Sequence, residues 1–409
     1  MKTFDVPIIY RSPLISAIKK KRKSEDRMKK DFSPTLLDFG PLRIYLARHF
    51  GFCYGVENAI DIAFKTVEEN EGRKIYLLSE MIHNPQVNAD LKAHGVTFLQ
   101  DTGGKQIIPF EALTADDIVL IPAFGTTLEI ERKLKGIGIQ TEKYDTTCPF
   151  VEKVWNRSEV IAKNDYTIVI HGKPKHEETR ATFSHAAANA PSIVVKDMAQ
   201  TVELAKYILG EKPAVDFYEE FRGQYSEGFD VNRHLERIGV VNQTTMLASE
   251  TQGIADYLKH VITTHYNLPA DKASERFAET RDTLCYATND NQSAVQGMLQ
   301  QTADLAIVIG GYNSSNTTHL VELCEEHLPT YFIKNDTCLV DENLIAHFDL
   351  HAHTETTTTG YLPANRPLKV LITSGASCPD ALVEGVVNRL AALTGNSASL
   401  QQVVEQWSR

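Results

Sequence analysis

Three cysteines in this chain stand where a thiolate could be both exposed and stabilised. Cys53 lies between Gly51 and Gly55, after an apolar run and before an amphipathic helical pattern. Cys148 and Cys285 also come directly before helical patterns. Glycines leave a thiol sterically uncovered, and a helix N-terminus favours the thiolate. The three side chains are therefore candidates for redox, catalytic or metal-binding chemistry.

Composition narrows the class of protein. The chain has 409 residues, enough for two or three domains, and is 42% hydrophobic and 23% charged, which is typical of a globular protein. Its apolar runs are shorter than the ~18 residues of a membrane span. A net charge of −11 argues against nucleic-acid binding. Six cysteines without a secretory signal favour a reducing compartment. We expect the cytoplasm, with a plastid less favoured.

The first 41 residues differ from the rest in charge. Residues 1–30 hold ten Lys and Arg against three acids, a net charge of +7 centred on Lys19–Lys23. The segment lacks the apolar core of a signal peptide, and it is Lys-rich rather than Arg- and Ser-rich like a transit peptide. We interpret it as a basic arm that is mobile or loosely docked, with a docking patch for an acidic partner as the alternative.

Short apolar runs alternate with helical patterns from residue 43 onward, which indicates parallel sheets in an α/β fold. The first two cysteine intervals are 95 and 137 residues, and the longer one contains a polar, irregular segment near 213–237 that we interpret as an insertion. Allowing for it, the spacing predicts three α/β units of about 100 residues. The predicted domains are the arm at 1–41 and α/β units at 42–147, 148–280 and 281–400.

One cysteine from each predicted unit could supply three thiolate ligands. A structural zinc site would add a fourth ligand and usually shows paired C-x-x-C spacing, which the sequence lacks. Iron–sulfur clusters select thiolates, and three of them would leave one iron of a 4Fe–4S cluster open as a Lewis acid. Spacing alone favours unrelated core or redox thiols over a cluster. Cys324 is expected in the core, whereas Cys338 and Cys378 lie in or near turns.

Several predicted strands end in turns that are rich in hydroxyl, amide and imidazole groups. These turns hold His83 and Asn84, His176, Gln243 to Thr245, Asn313 to Thr318, and Ser374 to Ser377. Such groups at helix N-termini bind phosphate oxygens, although a single turn of this kind is more often an ordinary helix cap. Several of them at one sheet edge favour an anion site. Glu178 is either a first-turn helix carboxylate or a proton donor in a closed pocket.

The order of these motifs resembles one known family. The matching segments are Gly51-Phe52-Cys53-x-Gly55-Val56, His83-Asn84, Asp145-x-Thr147-Cys148-Pro149, His176-x-Glu178, Gln243-Thr244-Thr245, Cys285-Tyr286-Ala287-Thr288, Asn313-Ser314-Ser315-Asn316 and Gly375-Ala376-Ser377-x-Pro379-Asp380. With these segments in order between about Arg43 and Leu393, the chain resembles the IspH (LytB) family of 4-hydroxy-3-methylbut-2-enyl diphosphate reductases. That family performs the last step of the methylerythritol phosphate isoprenoid pathway.

The resemblance implies a fold, a cofactor and a reaction. The fold would be three pseudo-threefold related α/β units with small parallel sheets around a central iron–sulfur cluster. One 4Fe–4S cluster per chain would be held by Cys53, Cys148 and Cys285. The reaction would be reductive dehydroxylation of 4-hydroxy-3-methylbut-2-enyl diphosphate to isopentenyl diphosphate and dimethylallyl diphosphate.

Site roles carry over residue by residue from the same resemblance. Glu178 matches the family's proton-delivering glutamate, and Thr244 matches the threonine near the substrate hydroxyl. The matches to its substrate contacts are His83, His176, Thr245, Ser314, Ser315, Asn316 and Ser377. Many bacterial members have a second pocket histidine where this chain has Phe124. Its contact to phosphate must be lost or supplied by Thr126, Thr127 or a backbone N–H. Phe124, the insertion and the arm resemble the plant and cyanobacterial branch.

Partners also follow from the resemblance. They are a small diphosphate substrate and a ferredoxin- or flavodoxin-type electron donor, without nucleic acid or membrane, and the chain would be a monomer or homodimer. Three alternatives stay open. One is an iron–sulfur redox sensor or binding protein without turnover. The second is a cluster-containing dehydratase, which would be expected to bind a carboxylate with arginine. The third is a zinc-binding structural protein, for which a fourth ligand is missing.

Overall fold

The computed structural model describes residues 4–278, 283–395 and 398–408. The helices α1 to α14 are, in order, Pro13–Glu25, Tyr54–Glu69, Pro85–Ala93, Leu128–Ile137, Pro149–Ala162, Glu177–Ala187, Met198–Ile208, Ala214–Glu220, Val231–His234, Ala248–His265, Tyr286–Met298, Ser315–Glu325, Asp380–Leu393 and Leu400–Ser408. The strands β1 to β14 are, in order, Thr35–Asp38, Leu42–Leu46, Ile75–Leu77, Thr97–Phe98, Ile118–Leu120, Thr167–His171, Ser192–Val195, Ile238–Asn242, Phe277–Ala278, Leu305–Ile309, Thr330–Ile333, Leu344–Asp349, Thr354–Thr359 and Leu368–Ser374.

Two compact units make up the chain. The first is formed by Met1–Asp61, Ile82–Ala89 and Tyr286–Arg409, and the second by Ile62–Met81 and Asp90–Cys285. The first unit contains a seven-stranded sheet in the order β1-β2-β14-β10-β11-β12-β13. Its centre, from β2 to β11, is parallel, and β1, β12 and β13 pair antiparallel at the two edges. The central strand β10 is buried along its whole length, as its unbroken apolar sequence requires.

The second unit contains two smaller sheets. One has three strands in the order β4-β3-β5 and the other has four in the order β7-β6-β8-β9, and every pairing in both is parallel. In each sheet the strands alternate with helices along the chain, so the carboxyl ends of the strands lead into helix N-termini. These turns carry most of the predicted site residues of this unit.

The pairing of β2 differs from the predicted domain ranges. Strand β2, the first strand of the predicted unit 42–147, pairs with β14, which lies in the predicted unit 281–400. The pairing is parallel and non-local, and apolar periodicity along the chain carries no signal for the partner of a buried strand. The predicted boundary at 280/281 lies outside the described residues. The domain boundaries stay a prediction.

The basic N-terminal segment is ordered and packed, so the expectation of a mobile or loosely docked arm is wrong for residues 4–41. Helix α1 begins at the N-cap Ser12, whose side chain accepts a hydrogen bond from the Ile15 backbone N–H at 2.9 Å. Ile15 and Ile18 are buried in the apolar core of the first unit. Strand β1 then pairs with β2 at the sheet edge. Because lysines occupy the other faces of the helix, the sequence of the segment is strongly basic, and this short apolar stripe was not predicted.

The segment 213–237 is also more regular than the sequence predicts. It forms helices α8 and α9, and Phe217 is fully buried between other aromatic rings. Phe221 stacks on it with ring centroids 5.1 Å apart, and Phe229 does so at 5.4 Å. Aromatic rings bury much area per residue and stabilise a compact segment. Its interpretation as an insertion stays a prediction. None of the helices in the described part of the chain combines the length and apolar character needed to cross a membrane.

Candidate active site

The three cysteines singled out by the sequence all lie at helix N-termini. Cys53 directly precedes α2, Cys148 is the N-cap residue of α5, and Cys285 directly precedes α11. Gly51 is in the left-handed region with φ +78°, which only glycine adopts without strain, and it turns the chain from β2 towards Cys53. Backbone N–H groups at helix N-termini are unpaired within the helix and stabilise a thiolate.

Cys53 and Cys148 are partly buried, whereas Cys285 is buried, as are Cys324 and Cys378. Burial raises the pKa of the Cys53 thiol, but the backbone N–H groups of Val56 and Gly55 oppose that shift by hydrogen bonding. Burial raises the pKa of Cys324 to about 12 and that of Cys378 to about 12. Both are fully buried and remain thiols at neutral pH. Cys324 packs within the core of the first unit, where the sequence predicts it.

The donor set fits a thiolate-bound cluster in its chemistry. Cys53 belongs to the first unit, and Cys148 and Cys285 belong to the second. Across residues 4–278, 283–395 and 398–408, no three His, Cys, Asp or Glu side chains are grouped closely enough to hold one metal ion. The assignment of these three cysteines as ligands stays a prediction.

In the second unit, hydrogen bonds link Glu178 to Thr244 and Thr244 to Cys285. Its side chain is 1% exposed, and its carboxylate accepts a hydrogen bond from the Thr244 backbone N–H at 2.5 Å. The Thr244 carbonyl in turn accepts from the Cys285 backbone N–H at 3.1 Å. Glu178 lies in the first turn of α6, where the helix dipole favours a carboxylate. One backbone segment thus connects a buried carboxyl group to a candidate ligand.

Gln243 holds these elements together, a role that its sequence motif did not reveal. Its side-chain oxygen accepts from the Thr179 hydroxyl at 2.9 Å and from the Lys173 backbone N–H at 3.2 Å. Its amide nitrogen donates to the Thr245 hydroxyl at 2.7 Å. A buried amide with several partners fixes the relative position of the turns that it joins. The network brings Glu178, Thr244 and Thr245 to one sheet edge.

His176 and Phe124 meet in the same unit. His176 is the N-cap residue of α6, and its Nδ1 accepts from the Glu178 backbone N–H at 3.2 Å. The Phe124 ring packs edge-to-face on the imidazole, with centroids 5.8 Å apart and an interplanar angle of 80°. Phe124 therefore holds the His176 ring through an aromatic contact.

In the first unit, Ser314, Ser315 and Asn316 form the start of α12. Ser314 is the N-cap residue, and its hydroxyl oxygen accepts from the Thr317 backbone N–H at 3.3 Å. The Asn316 side-chain oxygen accepts from the Ala376 backbone N–H at 2.8 Å. Asn316 is 3% exposed, and its Nδ2 has no partner among the described residues. A buried amide donor at a helix N-terminus suits an anion.

Ser377 and His83 are in contact within the first unit. The Ser377 hydroxyl donates to the His83 carbonyl at 3.1 Å. A side chain at Gly311 would collide with that same carbonyl, so glycine is required for the close approach of the two turns. His83, Ser377 and the α12 N-terminus therefore lie in one region, at the carboxyl ends of β10 and β14.

Comparison with known proteins agrees with this arrangement. A family profile described as LytB protein matches residues 44–391. The chain belongs to the LytB family. Among curated members, the 4-hydroxy-3-methylbut-2-enyl diphosphate reductase of Picosynechococcus sp. is 40% identical over 362 residues, covering 88% of this chain and 87% of that protein. The reductase of the same name from Gloeobacter violaceus is 39% identical over 364 residues, covering 87% and 84%.

Solved structures extend the match to the LytB fold. A structure of (E)-4-hydroxy-3-methyl-but-2-enyl diphosphate reductase, described as the terminal enzyme of the non-mevalonate pathway, is 26% identical, with a TM-score of 0.51 over 85% of this chain and 99% of that chain. The E-1-hydroxy-2-methyl-but-2-enyl-4-diphosphate reductase of Plasmodium falciparum shares the fold at 22% identity, with a TM-score of 0.60 over 85% and 87%. The family resemblance and the α/β fold class predicted from sequence are confirmed.

An ion pair beside the Cys53 turn was not predicted from sequence. Lys19 on α1 forms an ion pair with Asp380 at 2.6 Å, and its ammonium group lies 4.4 Å from the centroid of the Phe50 ring. A Cβ placed at Gly51 would meet the Asp380 carboxylate at 2.5 Å and the Lys19 ammonium at 2.8 Å. The pair thus packs against the turn that carries Cys53. A lysine within a basic run gives no sequence signal for such a role.

Proposed function

We propose that this chain reduces 4-hydroxy-3-methylbut-2-enyl diphosphate to isopentenyl diphosphate and dimethylallyl diphosphate. Two electrons and two protons cleave the C4–O bond and release water. One of the protons is added to carbon, at C2 for isopentenyl diphosphate and at C4 for dimethylallyl diphosphate. The family membership and the names of the relatives support this reaction.

The observation that carries the proposal is the buried Glu178 carboxyl group. It accepts a hydrogen bond from the Thr244 backbone N–H, and the Thr244 carbonyl accepts one from the Cys285 backbone N–H. Protonating carbon beside a reducing centre needs an acid that is held in place and shielded from bulk water. We assign Glu178 as the proton donor and Thr244 as the residue that orients the substrate hydroxyl. Both assignments are proposals.

A 4Fe–4S cluster, one per chain, is the proposed cofactor. Cys53, Cys148 and Cys285 would hold it, because each thiol lies at a helix N-terminus that favours the thiolate. When bound, the cluster supplies single electrons and one Lewis-acidic iron. The chain's own residues bind the diphosphate, orient the alcohol and deliver the proton.

The diphosphate would be held by hydroxyl, amide and imidazole groups. The proposed residues are His83, His176, Thr245, Ser314, Ser315, Asn316 and Ser377. The buried Asn316 amide nitrogen supports this assignment, since it has no protein partner within the described residues. Each hydrogen bond to a charged phosphate contributes about 1.5–3 kcal/mol.

Phe124 stands where many bacterial members carry a pocket histidine, and it cannot donate to phosphate. Its edge-to-face contact holds the His176 ring instead. Thr126 is buried, and Thr127 is the N-cap residue of α4, where its hydroxyl oxygen accepts from the Ile130 N–H at 3.4 Å. We propose that the His176 ring, positioned by Phe124, takes over part of the missing phosphate contact.

Electrons would come from a ferredoxin- or flavodoxin-type donor, and the enzyme would act in the cytoplasm as a monomer or homodimer. The cyanobacterial relatives support the cytoplasm over a plastid. An iron–sulfur sensor without turnover is the second candidate function. The buried carboxyl group of Glu178 disfavours it, because a sensor needs no proton donor.

The proposal is tested by anaerobic assay of the full chain with reduced methyl viologen and the hydroxymethylbutenyl diphosphate. The expected result is release of both five-carbon diphosphates by a protein that contains iron and sulfide. Alanine variants of Cys53, Cys148 and Cys285 should lose the iron, whereas the matched variant Cys324→Ala should keep it. Iron without product would favour the sensor, and absence of iron would overturn the cofactor assignment.

A further inference from the structure

Helix α1 presents two chemically different sides. The inner side carries Ile15 and Ile18, which are buried in the core of the first unit, and Lys19, which is paired with Asp380. The outer side carries Lys20 and Lys23, one helical turn apart and both exposed. The helix is therefore fixed on the protein and can present its outer side in a constant orientation.

Some of the basic residues in Lys19–Lys23 make contacts within the protein and are not available to bind a partner. The Lys21 ammonium donates to the Trp407 carbonyl at 3.0 Å and lies 4.7 Å from that residue's ring centroid. Arg22 pairs with Asp31 at 3.0 Å and donates to the Ser33 carbonyl at 2.8 Å. Lys19, Lys21 and Arg22 thus hold the segment in place.

Three of the other cations make up what we call the α1 patch, which consists of Lys20 and Lys23 on α1 and Arg27 just after the helix ends. All three are exposed, and none has an ion-pair partner among the described residues. The first 30 residues carry +7 and the rest of the chain carries −18. A cluster of unpaired cations on an otherwise acidic protein attracts a partner of opposite charge to one place and repels it elsewhere.

The patch also lies on the helix that supports the Cys53 turn. Lys19 directly precedes Lys20 in sequence, and its ammonium group packs against Gly51, two residues before Cys53. A protein that docks on the outer side of α1 is thereby placed near a candidate ligand of the redox centre. This step rests on the proposed function, which requires electrons from outside the chain.

We propose that the α1 patch is the docking surface for a small acidic electron-carrier protein. Association is steered by charge, so it is fastest at low ionic strength and weakens as salt screens the patch. The patch disfavours a basic carrier protein, whereas the small dye methyl viologen does not have to dock on a protein surface and therefore does not need the patch.

The experiment compares the wild-type holoenzyme with the triple variant K20E/K23E/R27E and the matched control K74E/K105E/K163E. The control changes three exposed lysines of the second unit by the same charge. The probe is a purified acidic 2Fe–2S ferredoxin, and its binding and its support of turnover are measured from low to high salt. Variant K20Q/K23Q/R27Q repeats the test without charge reversal, should the reversed variant fold poorly.

The patch variant should bind ferredoxin at least roughly tenfold more weakly at low salt, with the difference shrinking as salt rises. Viologen-driven turnover should match the wild type. Equal ferredoxin binding by wild type and patch variant, or equal weakening in the control, would overturn the proposal. So would binding of the patch to phosphatidylserine vesicles but not to ferredoxin, since that would assign it to a membrane surface. Failure of the proposed function is distinguishable, because the wild type would then form no product with viologen while ferredoxin binding could still be measured.

Discussion

The Glu178 carboxylate accepts a 2.5 Å hydrogen bond from the Thr244 backbone N–H, and the Thr244 carbonyl accepts from the Cys285 N–H at 3.1 Å. Because Thr244 is hydrogen-bonded to both residues, Glu178 keeps a constant position relative to the candidate ligand Cys285. The Gln243 network holds that segment from the other side. Proton delivery and cofactor binding would therefore share one rigid support in the second unit.

Replacing Glu178 with Gln tests the acid. The Gln side chain keeps the shape and can still accept from Thr244 N–H, but it cannot deliver a proton. We expect product formation to fall about 10²- to 10⁴-fold, with unchanged iron content and substrate affinity. The control is Glu177→Gln, which makes the same change at the neighbouring carboxylate, the one that accepts a hydrogen bond from the Ser79 hydroxyl. Turnover of the Glu178 variant at the level of this control would remove Glu178 from its role.

Replacing Asn316 with Asp tests the diphosphate site. The substitution keeps the oxygen that accepts from Ala376 N–H but exchanges the unpartnered donor for a negative charge. We expect KM for the diphosphate to rise about 10- to 100-fold, with a smaller effect on kcat. Asn313→Asp adds the same charge on an exposed side chain and should change KM less. Equal effects of the two variants would argue against a direct phosphate contact.

Replacing Phe124 with Ala tests the aromatic support of His176. Loss of an edge-to-face contact costs about 0.5–1.5 kcal/mol, so KM should rise up to about tenfold as the imidazole loses its fixed orientation. Phe124→Tyr keeps the ring and should restore the wild-type KM. A KM in the alanine variant equal to that of the wild type would show that His176 needs no support from Phe124.

Replacing Lys19 with Met tests whether the Lys19–Asp380 ion pair stabilises the turn that carries Cys53. The variant breaks the partly buried ion pair with Asp380 and should lower the free energy of unfolding by about 1–2 kcal/mol. It should also shorten the time over which the protein keeps its iron in air. Lys20→Met, on the exposed side of the same helix, is the control. Iron retention that is identical in both variants would show that the pair does not support the turn.

His49 should make folding sensitive to acid. Burial beside Phe32 lowers its pKa from 6.5 to about 4. The unfolded chain therefore binds more protons between these values, so stability is complete above pH 6.5 and is lost as the pH falls towards 4. With screening, we expect a loss of about 1 kcal/mol between pH 7 and pH 5.

Urea unfolding at several pH values checks this expectation. His49→Gln should flatten the dependence over this interval, whereas the exposed control His260→Gln should leave it in place. The same pH dependence in all three proteins would assign the acid sensitivity to other groups.

Local signals allowed much of the site to be predicted. Gly51 and Gly55 indicate an open turn at Cys53, and Pro149 indicates that a helix starts after Cys148. Each of these two features is predicted from neighbouring residues alone. These turns lie where the sequence placed them. The alternation of strands and helices likewise predicted the parallel sheets, because buried strands need apolar runs.

Features that depend on distant residues were missed. The docking of α1 rests on two isoleucines just before a run of five consecutive cations, so the net charge of the segment masked its buried face. Pairing of β2 with β14 joins residues that are more than 300 positions apart. The Lys19–Asp380 pair joins residues 361 positions apart, and nothing near either residue in sequence points to the other.

Anaerobic turnover in deuterated water with reduced viologen, followed by mass analysis of the products, tests both the reaction and its proton donor. We expect isopentenyl and dimethylallyl diphosphate, each with one deuterium on carbon, and a much lower rate in Glu178→Gln. Recovery of unchanged alcohol from a protein that holds its full iron and sulfide would contradict the reductase assignment. Products that form equally fast without the Glu178 carboxyl group would contradict the proposed route of the proton.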